Sequence, residues 1–181
     1  MAKILQDLGF TVELLTVNFG VYPSYHPAAE SAKNLGFTHR RYNMEKDILL
    51  EGVSQILKDD FPNNGINIIH HEVIEKISQE YDVVADGTRR DDRIPKLTRD
   101  EIRSLEDRHK VQYINLDSFG YKTIQSLSSQ LFEIHKEKSN KENSSDYEVE
   151  IRELINELSG PEKTLSIFPE HYQTRVIGWK K

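Results

Sequence analysis

Hydrophobic positions recur along the chain at two different spacings, and the change between them predicts alternating strands and helices. Runs rich in β-branched, aromatic and apolar residues predict strands at 10–19, 37–42, 81–85 and 111–116. Apolar residues at helical spacing predict helices at 2–8, 28–35, 48–57, 66–77, 98–105, 124–134 and 147–158. Strands separated by such helices favour parallel βαβ units, so the predicted fold is α/β with a doubly wound parallel sheet.

A polar segment near the carboxyl end divides the chain. Residues 1–134 carry the pattern of the α/β domain, whereas 135–146 are almost entirely Lys, Glu, Ser, Asn and other polar residues. Such a composition cannot bury enough apolar surface to fold alone, which predicts an exposed linker. The remaining residues, 147–181, are predicted to form a helix and tail that pack on the same domain.

The composition excludes several classes of protein. The 181 residues give room for one domain with a substantial core, at 36% hydrophobic and 30% charged residues. No stretch approaches the roughly 18 apolar residues that a membrane span needs, so no membrane segment is expected. The absence of cysteine excludes disulfides and thiolate sites and favours a cytoplasmic location. The net charge of −6 argues against nucleic-acid binding by the whole surface.

The strand predicted at 81–85 runs into the most polar loop of the chain. Gly87 permits a tight turn and Thr88 offers a hydroxyl, just where open α/β sheets bind ligands. The charged run that follows is Arg89-Arg90-Asp91-Asp92-Arg93. Its guanidinium groups suit phosphate or carboxylate, and its carboxylates suit a metal or a sugar hydroxyl. The alternative is a solvated loop held by salt bridges.

Three other polar groups are weaker candidates. Asn64 and Gly65 lie in a turn at a predicted helix start, which suits an anion but also an ordinary cap. His70 and His71 are adjacent, point about 100° apart on a helix and make a poor chelate. His171 and Arg175, four residues apart in the tail, are suited either to closing over a pocket or to a packed carboxyl terminus.

Beyond these patterns, the order of motifs resembles a known superfamily. The segments Leu14–Gly20, Val84–Thr88 and Pro95–Arg103 are together similar to the PP-loop ATP pyrophosphatases, a Rossmann-like, adenine-nucleotide α-hydrolase-like group that includes GMP synthetase and NAD synthetase. The tail His171–Gly178 resembles an uncharacterised, largely archaeal branch of that group. The resemblance covers nearly the whole chain.

The resemblance implies ATP and Mg²⁺ as ligands and an enzyme that adenylates an unidentified acceptor, for which RNA is one candidate. It places Asn18 and Phe19 at the border of the adenine pocket, although Phe19 also suits the core. It places Gly87 and Thr88 beside the nucleotide, and Asn64, Gly65, His171 and Arg175 are further candidates for binding it. Catalytic roles fall on the charged run: Arg89 and Arg93 would neutralise phosphates, and Asp91 and Asp92 would bind magnesium or orient the acceptor.

One departure from the superfamily affects all of these expectations. Its members have a first strand and a Ser-Gly-Gly-x-Asp-Ser loop that wraps pyrophosphate, and neither is found here. The sequence therefore predicts an N-terminally incomplete sheet, either as a truncation or as a natural short form that binds nucleotide weakly or not at all. Alternatives are a non-catalytic nucleotide- or RNA-binding module, or a subunit completed by a partner. Unpaired edges near 12–19 and 83–85 predict self-association into a homo-oligomer, rearrangement or marginal stability.

Overall fold

A computed structural model describes residues 1–181 and contains eight helices and six strands. The helices are α1 (Ala2–Asp7), α2 (His26–Leu35), α3 (Lys46–Asp59), α4 (Asn63–Ile77), α5 (Arg99–His109), α6 (Tyr121–Leu131), α7 (Glu148–Ser159) and α8 (Pro161–Ile167). The strands are β1 (Glu13–Asn18), β2 (Thr38–Asn43), β3 (Val83–Arg89), β4 (Gln112–Leu116), β5 (Phe132–Lys138) and β6 (Tyr172–Trp179). None of these helices has the length and apolar character needed to cross a lipid bilayer.

The strands pair two by two and not as one sheet. β1 pairs with β2 and β3 pairs with β4, both in parallel, while β5 and β6 are antiparallel. The predicted α/β class is therefore confirmed. A single doubly wound sheet is not observed, whereas the unpaired edges predicted near 12–19 and 83–85 are, because β1 and β3 each have one neighbouring strand and are not joined to each other.

Local sequence signals explain several element boundaries. A capping box starts α5: Glu101 N–H donates to Thr98 Oγ1 at 3.3 Å, and Thr98 N–H donates to the Glu101 carboxylate at 2.7 Å. Gly36 ends α2 in the left-handed conformation, with a φ of 75°, which costs glycine little.

The core lies where α3, α4 and α7 meet. The largest fully buried apolar side chains are Leu49, Val53 and Ile56 of α3, Ile69 of α4, and Ile151, Leu154 and Ile155 of α7. Gly65 of α4 faces the backbone of Gly52 of α3, and a side chain at either position would collide with the other helix. These glycines allow the two helices to approach closely, which fixes the position of α4 beside the sheets.

The largest correction concerns the segment before α7. The helix predicted to reach 134 ends at Leu131, and the predicted linker 135–146 begins inside strand β5. The strand forms because β6 offers a partner, with Phe132 opposite Trp179 and Lys138 opposite Tyr172. Its polar residues are compatible with this position because β5 is largely exposed. Hydropathy alone does not reveal a strand with so few apolar residues.

Strand β3 is longer than predicted. The apolar run ends at Ala85, but pairing with β4 resumes at Arg89 after a bulge that contains Asp86, Gly87 and Thr88. Bulges re-aim side chains and are frequent beside functional sites. The polar motif predicted as a loop is therefore built into the strand.

Candidate functional site

A groove separates β1 from β3. Its volume is about 690 Å³, and its walls come from β1, β3, residues 173–176 of β6, the segment before α7, one face of α2, one face of α4 and the first turn of α1. Leu14, Leu15, Val83 and Ala85 are only half-buried there, although strands of parallel sheets are ordinarily covered on both faces. We call this cavity the inter-sheet groove.

The inter-sheet groove becomes polar towards the carboxyl end of β3. Asp86 lies there, and its carboxylate accepts hydrogen bonds from the Thr88 N–H at 2.9 Å, from the Thr88 hydroxyl and from the Tyr113 hydroxyl. A further bond of 3.1 Å joins Asp86 to Nε2 of His70 on α4. The bulge in β3 is thus fixed by one carboxylate that makes four hydrogen bonds with three residues.

His70 connects this carboxylate to a second hydroxyl. Its Nδ1 lies 3.3 Å from the hydroxyl of Tyr147, which precedes α7 and also lines the groove. A carboxylate only accepts, so a neutral His70 carries its hydrogen on Nε2 and accepts from Tyr147 at Nδ1. The side chains of Asp86, His70 and Tyr147 are therefore connected by two successive hydrogen bonds, and we call this series the groove relay.

Burial and hydrogen bonding oppose each other at Asp86. Burial would raise its pKa, but the bonds from His70, Thr88 and Tyr113 together outweigh burial, and the pKa lies below its ordinary value of 3.8. Burial raises the pKa of the Tyr113 phenol, and the charge of Asp86 raises it further. Asp86 is therefore ionised at neutral pH and Tyr113 is a hydrogen-bond donor.

The carboxyl end of β1 is organised differently. Glu150 of α7 is completely buried, and its carboxylate accepts from the backbone N–H groups of Phe19, Val21 and Tyr22 at 2.9 to 3.3 Å. Successive N–H groups of this kind form an anion-binding turn, which here holds a carboxylate of the same chain. Asn18 is also buried and donates to the Tyr22 carbonyl at 2.6 Å.

Asn18 and Phe19, which were expected to border an adenine pocket, are therefore buried inside the protein. Phe19 belongs to the hydrophobic core, and neither Asn18 nor Phe19 lines the inter-sheet groove. Of the residues predicted to bind a nucleotide, Gly87 and Arg175 line the groove. Thr88 is buried beside it, where it bonds to Asp86.

The charged run forms its own cluster outside the groove. Asp92 pairs with the Arg89 guanidinium and accepts from the Arg89 backbone N–H at 2.8 Å, and this hydrogen bonding lowers the pKa of Asp92. Asp91 accepts from the N–H of Tyr121 at 2.8 Å, at the start of α6. Arg93 is exposed. The Arg89–Asp92 pair agrees with the alternative of a salt-bridged loop, and the phosphate site stays a prediction.

The proposed magnesium ligands do not converge. Asp91 and Asp92 bond to different partners, and the chain contains no group of three or more His, Asp or Glu side chains arranged to hold a metal ion. A metal held by protein side chains alone does not fit this geometry.

Other predicted positions are scattered. The side chain of Asn64 donates to Asp59 at 2.8 Å, and Gly65 is at the helix crossing described above. Arg175 pairs with Glu30 at 3.0 Å. His171 lines a separate recess of about 340 Å³ between α7 and the loop before it.

The groove relay is the part of the site that cannot be predicted from the sequence. Asp86 follows an apolar run and so has a local signal, but His70 is 16 residues away, and its sequence neighbours suggest only a poor chelate with His71. Tyr147 is 77 positions from His70. No local pattern indicates that these side chains meet, because their contact depends on how α4 and α7 pack.

Comparisons with known proteins cover nearly the whole of this chain. The chain is 47% identical over 182 residues to the uncharacterized protein MJ0690 of Methanocaldococcus jannaschii, covering 99% of this chain and 90% of that protein. A crystal structure from the same organism, described as the predicted subunit of a tRNA methyltransferase, superposes with a TM-score of 0.92 at 45% identity, over 99% of this chain and 90% of that one. A family of unknown function, DUF7411, matches residues 1–178. The chain belongs to this family.

Proposed function

We propose that the chain is an adenine-nucleotide-binding domain of the PP-loop type, with the nucleotide bound at the polar end of the inter-sheet groove. One observation carries this proposal: the groove between two parallel strand pairs becomes polar at the bulged carboxyl end of β3, where Asp86 lies. Ligands of open α/β sheets bind outside the carboxyl ends of the strands. In this proposal, the two parallel pairs are the halves of a doubly wound, Rossmann-like sheet.

The groove offers suitable groups for a nucleotide. Gly87 has open space around its Cα, so a ligand can approach the β3 backbone closely. The groove relay supplies hydrogen-bonding groups for a ribose or base, and Arg175 supplies a cation. The apolar walls exclude water from the rest of the ligand.

The reaction that we propose is AMP-forming. An oxygen of the acceptor attacks the α-phosphorus of ATP, the bond to the β-phosphate oxygen breaks, and pyrophosphate leaves while acceptor–AMP forms. The protein would act by positioning and by neutralising charge. Because the carboxylates do not form a metal site, Mg²⁺ enters our proposal only as part of the MgATP substrate.

The charged run would serve the departing pyrophosphate. Arg93 is exposed, whereas the Arg89 guanidinium is held by Asp92. Arg89 must therefore exchange a carboxylate for a phosphate when a ligand arrives, which guanidinium geometry allows because both partners accept two parallel bonds.

Binding of a fluorescent ATP analogue tests the groove directly. Gly87→Val places a side chain in the groove without strain, since no other atom lies within 4 Å of the point that a Cβ would occupy there, and we expect about tenfold weaker binding. Gly178→Val on β6 is the matched control, because that position is equally open but lies outside the groove. Equal affinity of both variants and the wild type would place the nucleotide elsewhere.

Pyrophosphate release from MgATP tests the reaction. We expect the pair Arg89→Ala/Arg93→Ala to abolish release, and Arg103→Ala on α5 to leave it unchanged. Absence of both binding and release in the wild-type chain would overturn the proposal.

A second candidate is a non-catalytic subunit that presents a nucleotide or RNA to a partner enzyme. The description of the similar crystal structure as the predicted subunit of a tRNA methyltransferase favours it. ATP or tRNA binding without pyrophosphate release would favour this candidate over the enzyme.

A further inference from the structure

Exposed arginines without an acidic partner are concentrated after β3. The arginines that pair with a carboxylate are Arg40, Arg89, Arg108, Arg152 and Arg175. Arg90, Arg93 and Arg99 form no such pair, and all three residues are exposed. Their guanidinium groups are therefore free to bind an anion from outside, although the net charge of the protein is −6.

The carboxylates of the same segment do not neutralise these arginines. Of the four acidic residues in 91–101, three are bound within the chain. Asp92 is held by Arg89, and Asp91 is held by the first backbone N–H of α6. Glu101 closes the capping box of α5. One carboxylate, that of Asp100, thus remains to offset the exposed guanidinium groups.

Three cations converge at the carboxyl end of β4. Lys96 donates to the Asp117 carboxylate at 2.7 Å and lowers its pKa. Arg99 and Arg90 lie close enough to lower the pKa of Asp117 further. The N–H of Arg90 donates to the carbonyl of Phe119 at 3.1 Å. The loops after β3 and β4 therefore form one surface, in which three cations surround a carboxylate that is 45% exposed.

An exposed aromatic ring borders these cations. The Arg90 guanidinium packs beside Gly120, immediately before Tyr121. The Arg89 guanidinium lies over the Tyr121 ring, 5.3 Å from the ring centroid, and Tyr121 remains 52% exposed. The ring is thus held in place while an unpaired base can stack on its exposed part. Lys122 adds an exposed cation in the same turn of α6.

We propose that this surface binds single-stranded RNA, through a basic patch that consists of Arg90, Lys96, Arg99, Tyr121 and Lys122. Cations alone would suit any polyanion, but the ring favours an unpaired base, which a duplex does not offer. The Asp117 carboxylate accepts from a ribose 2′-hydroxyl, a donor that DNA lacks. None of the patch residues lines the inter-sheet groove, so the proposal stands whether or not the groove binds a nucleotide.

Fluorescence anisotropy with a labelled oligouridylate of about twelve nucleotides tests this proposal in the absence of ATP. The matched probes are the oligodeoxyuridylate of the same length and the RNA duplex with oligoadenylate. We expect at least about fivefold weaker binding of both, because the first lacks 2′-hydroxyls and the second lacks unpaired bases. Arg90, Arg99 and Lys122 would contact about three phosphates, so log Kd should rise with log salt with a slope of about 2.

Two double variants locate the RNA. Arg90→Ala/Arg99→Ala removes two charges from the basic patch, and we expect at least about tenfold weaker binding and a salt slope lower by about 1.4. Lys33→Ala/Arg41→Ala removes two exposed charges elsewhere, neither of which pairs with a carboxylate, and we expect affinity within about twofold of the wild type.

Two variants of Tyr121 test the stacking. We expect Tyr121→Leu to weaken oligouridylate binding about tenfold and Tyr121→Phe, which keeps the ring, to leave it within about twofold. Urea denaturation of each variant identifies any loss that comes from unfolding. Equal weakening by the two double variants would reduce the interaction to net charge and overturn the proposal. Equal binding of oligouridylate and oligodeoxyuridylate, or no binding of oligouridylate at low salt, would also overturn it.

Discussion

At the carboxyl end of β1, three backbone N–H groups converge on the Glu150 carboxylate, which is completely buried. At the carboxyl end of β3, the Asp86 carboxylate is held mainly by side chains, and 14% of its own side-chain surface remains exposed at the groove. Both sites contain one anion at the end of a parallel strand. Only the site on β3 has partners that can rotate away when a ligand arrives.

The comparison explains why one strand end suits anchoring and the other suits binding. Backbone donors cannot leave Glu150 without unfolding the turn, so this carboxylate ties α7 to β1. The hydroxyls of Tyr113 and Tyr147 and the ring of His70 can exchange partners by side-chain rotation. We therefore expect large stability effects at β1 and smaller effects, with consequences for binding, at β3.

The largest effect is expected from removing the anchor. Glu150→Ala leaves the N–H groups of Phe19, Val21 and Tyr22 without their acceptor, and we expect the free energy of unfolding to fall by about 3 kcal/mol or more. Urea denaturation monitored by circular dichroism measures this change. Glu157→Ala on the exposed face of α7 is the control, and we expect an effect within about 0.5 kcal/mol. Similar losses in both variants would show that Glu150 is no anchor.

A smaller effect is expected at the groove. Asp86→Asn replaces one acceptor oxygen by a donor that faces other donors, and we expect a loss of about 1–2 kcal/mol in the free energy of unfolding. Asp82→Asn, exposed just before β3, should change stability by less than about 0.5 kcal/mol. A loss at Asp86 as large as that at Glu150 would remove the distinction between the two strand ends.

Acid should remove the contribution of Asp86 to the stability of the fold. The pKa of Asp86 in the folded chain lies below 3.8, so its ionised form stabilises the fold above that pH, and the contribution disappears as pH falls through the folded pKa. We therefore expect the stability difference between wild type and Asp86→Asn to be constant near neutral pH and to shrink below about pH 4. Urea melts of both proteins between about pH 3 and pH 7 provide the measurement, and a difference that grows on acidification would contradict it.

The two strand ends also show how far sequence reasoning reaches. The β3 site is predictable in part, because an apolar run followed by Asp86-Gly87-Thr88 is a local pattern. The anchor at β1 is not predictable from the sequence, because Glu150 is 131 positions from Phe19. Its local sequence does not distinguish it from other acidic residues of an amphipathic helix. β5 escapes prediction for a similar reason, since its stability comes from pairing with β6. Local periodicity predicts elements, whereas which elements meet depends on packing that one sequence does not display.

The smallest stability effect is expected in the charged run, outside both strand ends. Arg89 and Asp92 form a partly exposed pair, and such pairs contribute about 0–1 kcal/mol. Arg89→Ala leaves Asp92 bonded to the backbone N–H of residue 89, so we expect a loss below about 1 kcal/mol in urea denaturation. Asp92→Ala removes both contacts and should cost more than Arg89→Ala. If Arg89→Ala instead destabilises the chain as much as Glu150→Ala does, the run is part of the structural frame, and loss of pyrophosphate release in Arg89→Ala/Arg93→Ala would report unfolding instead of a lost phosphate contact.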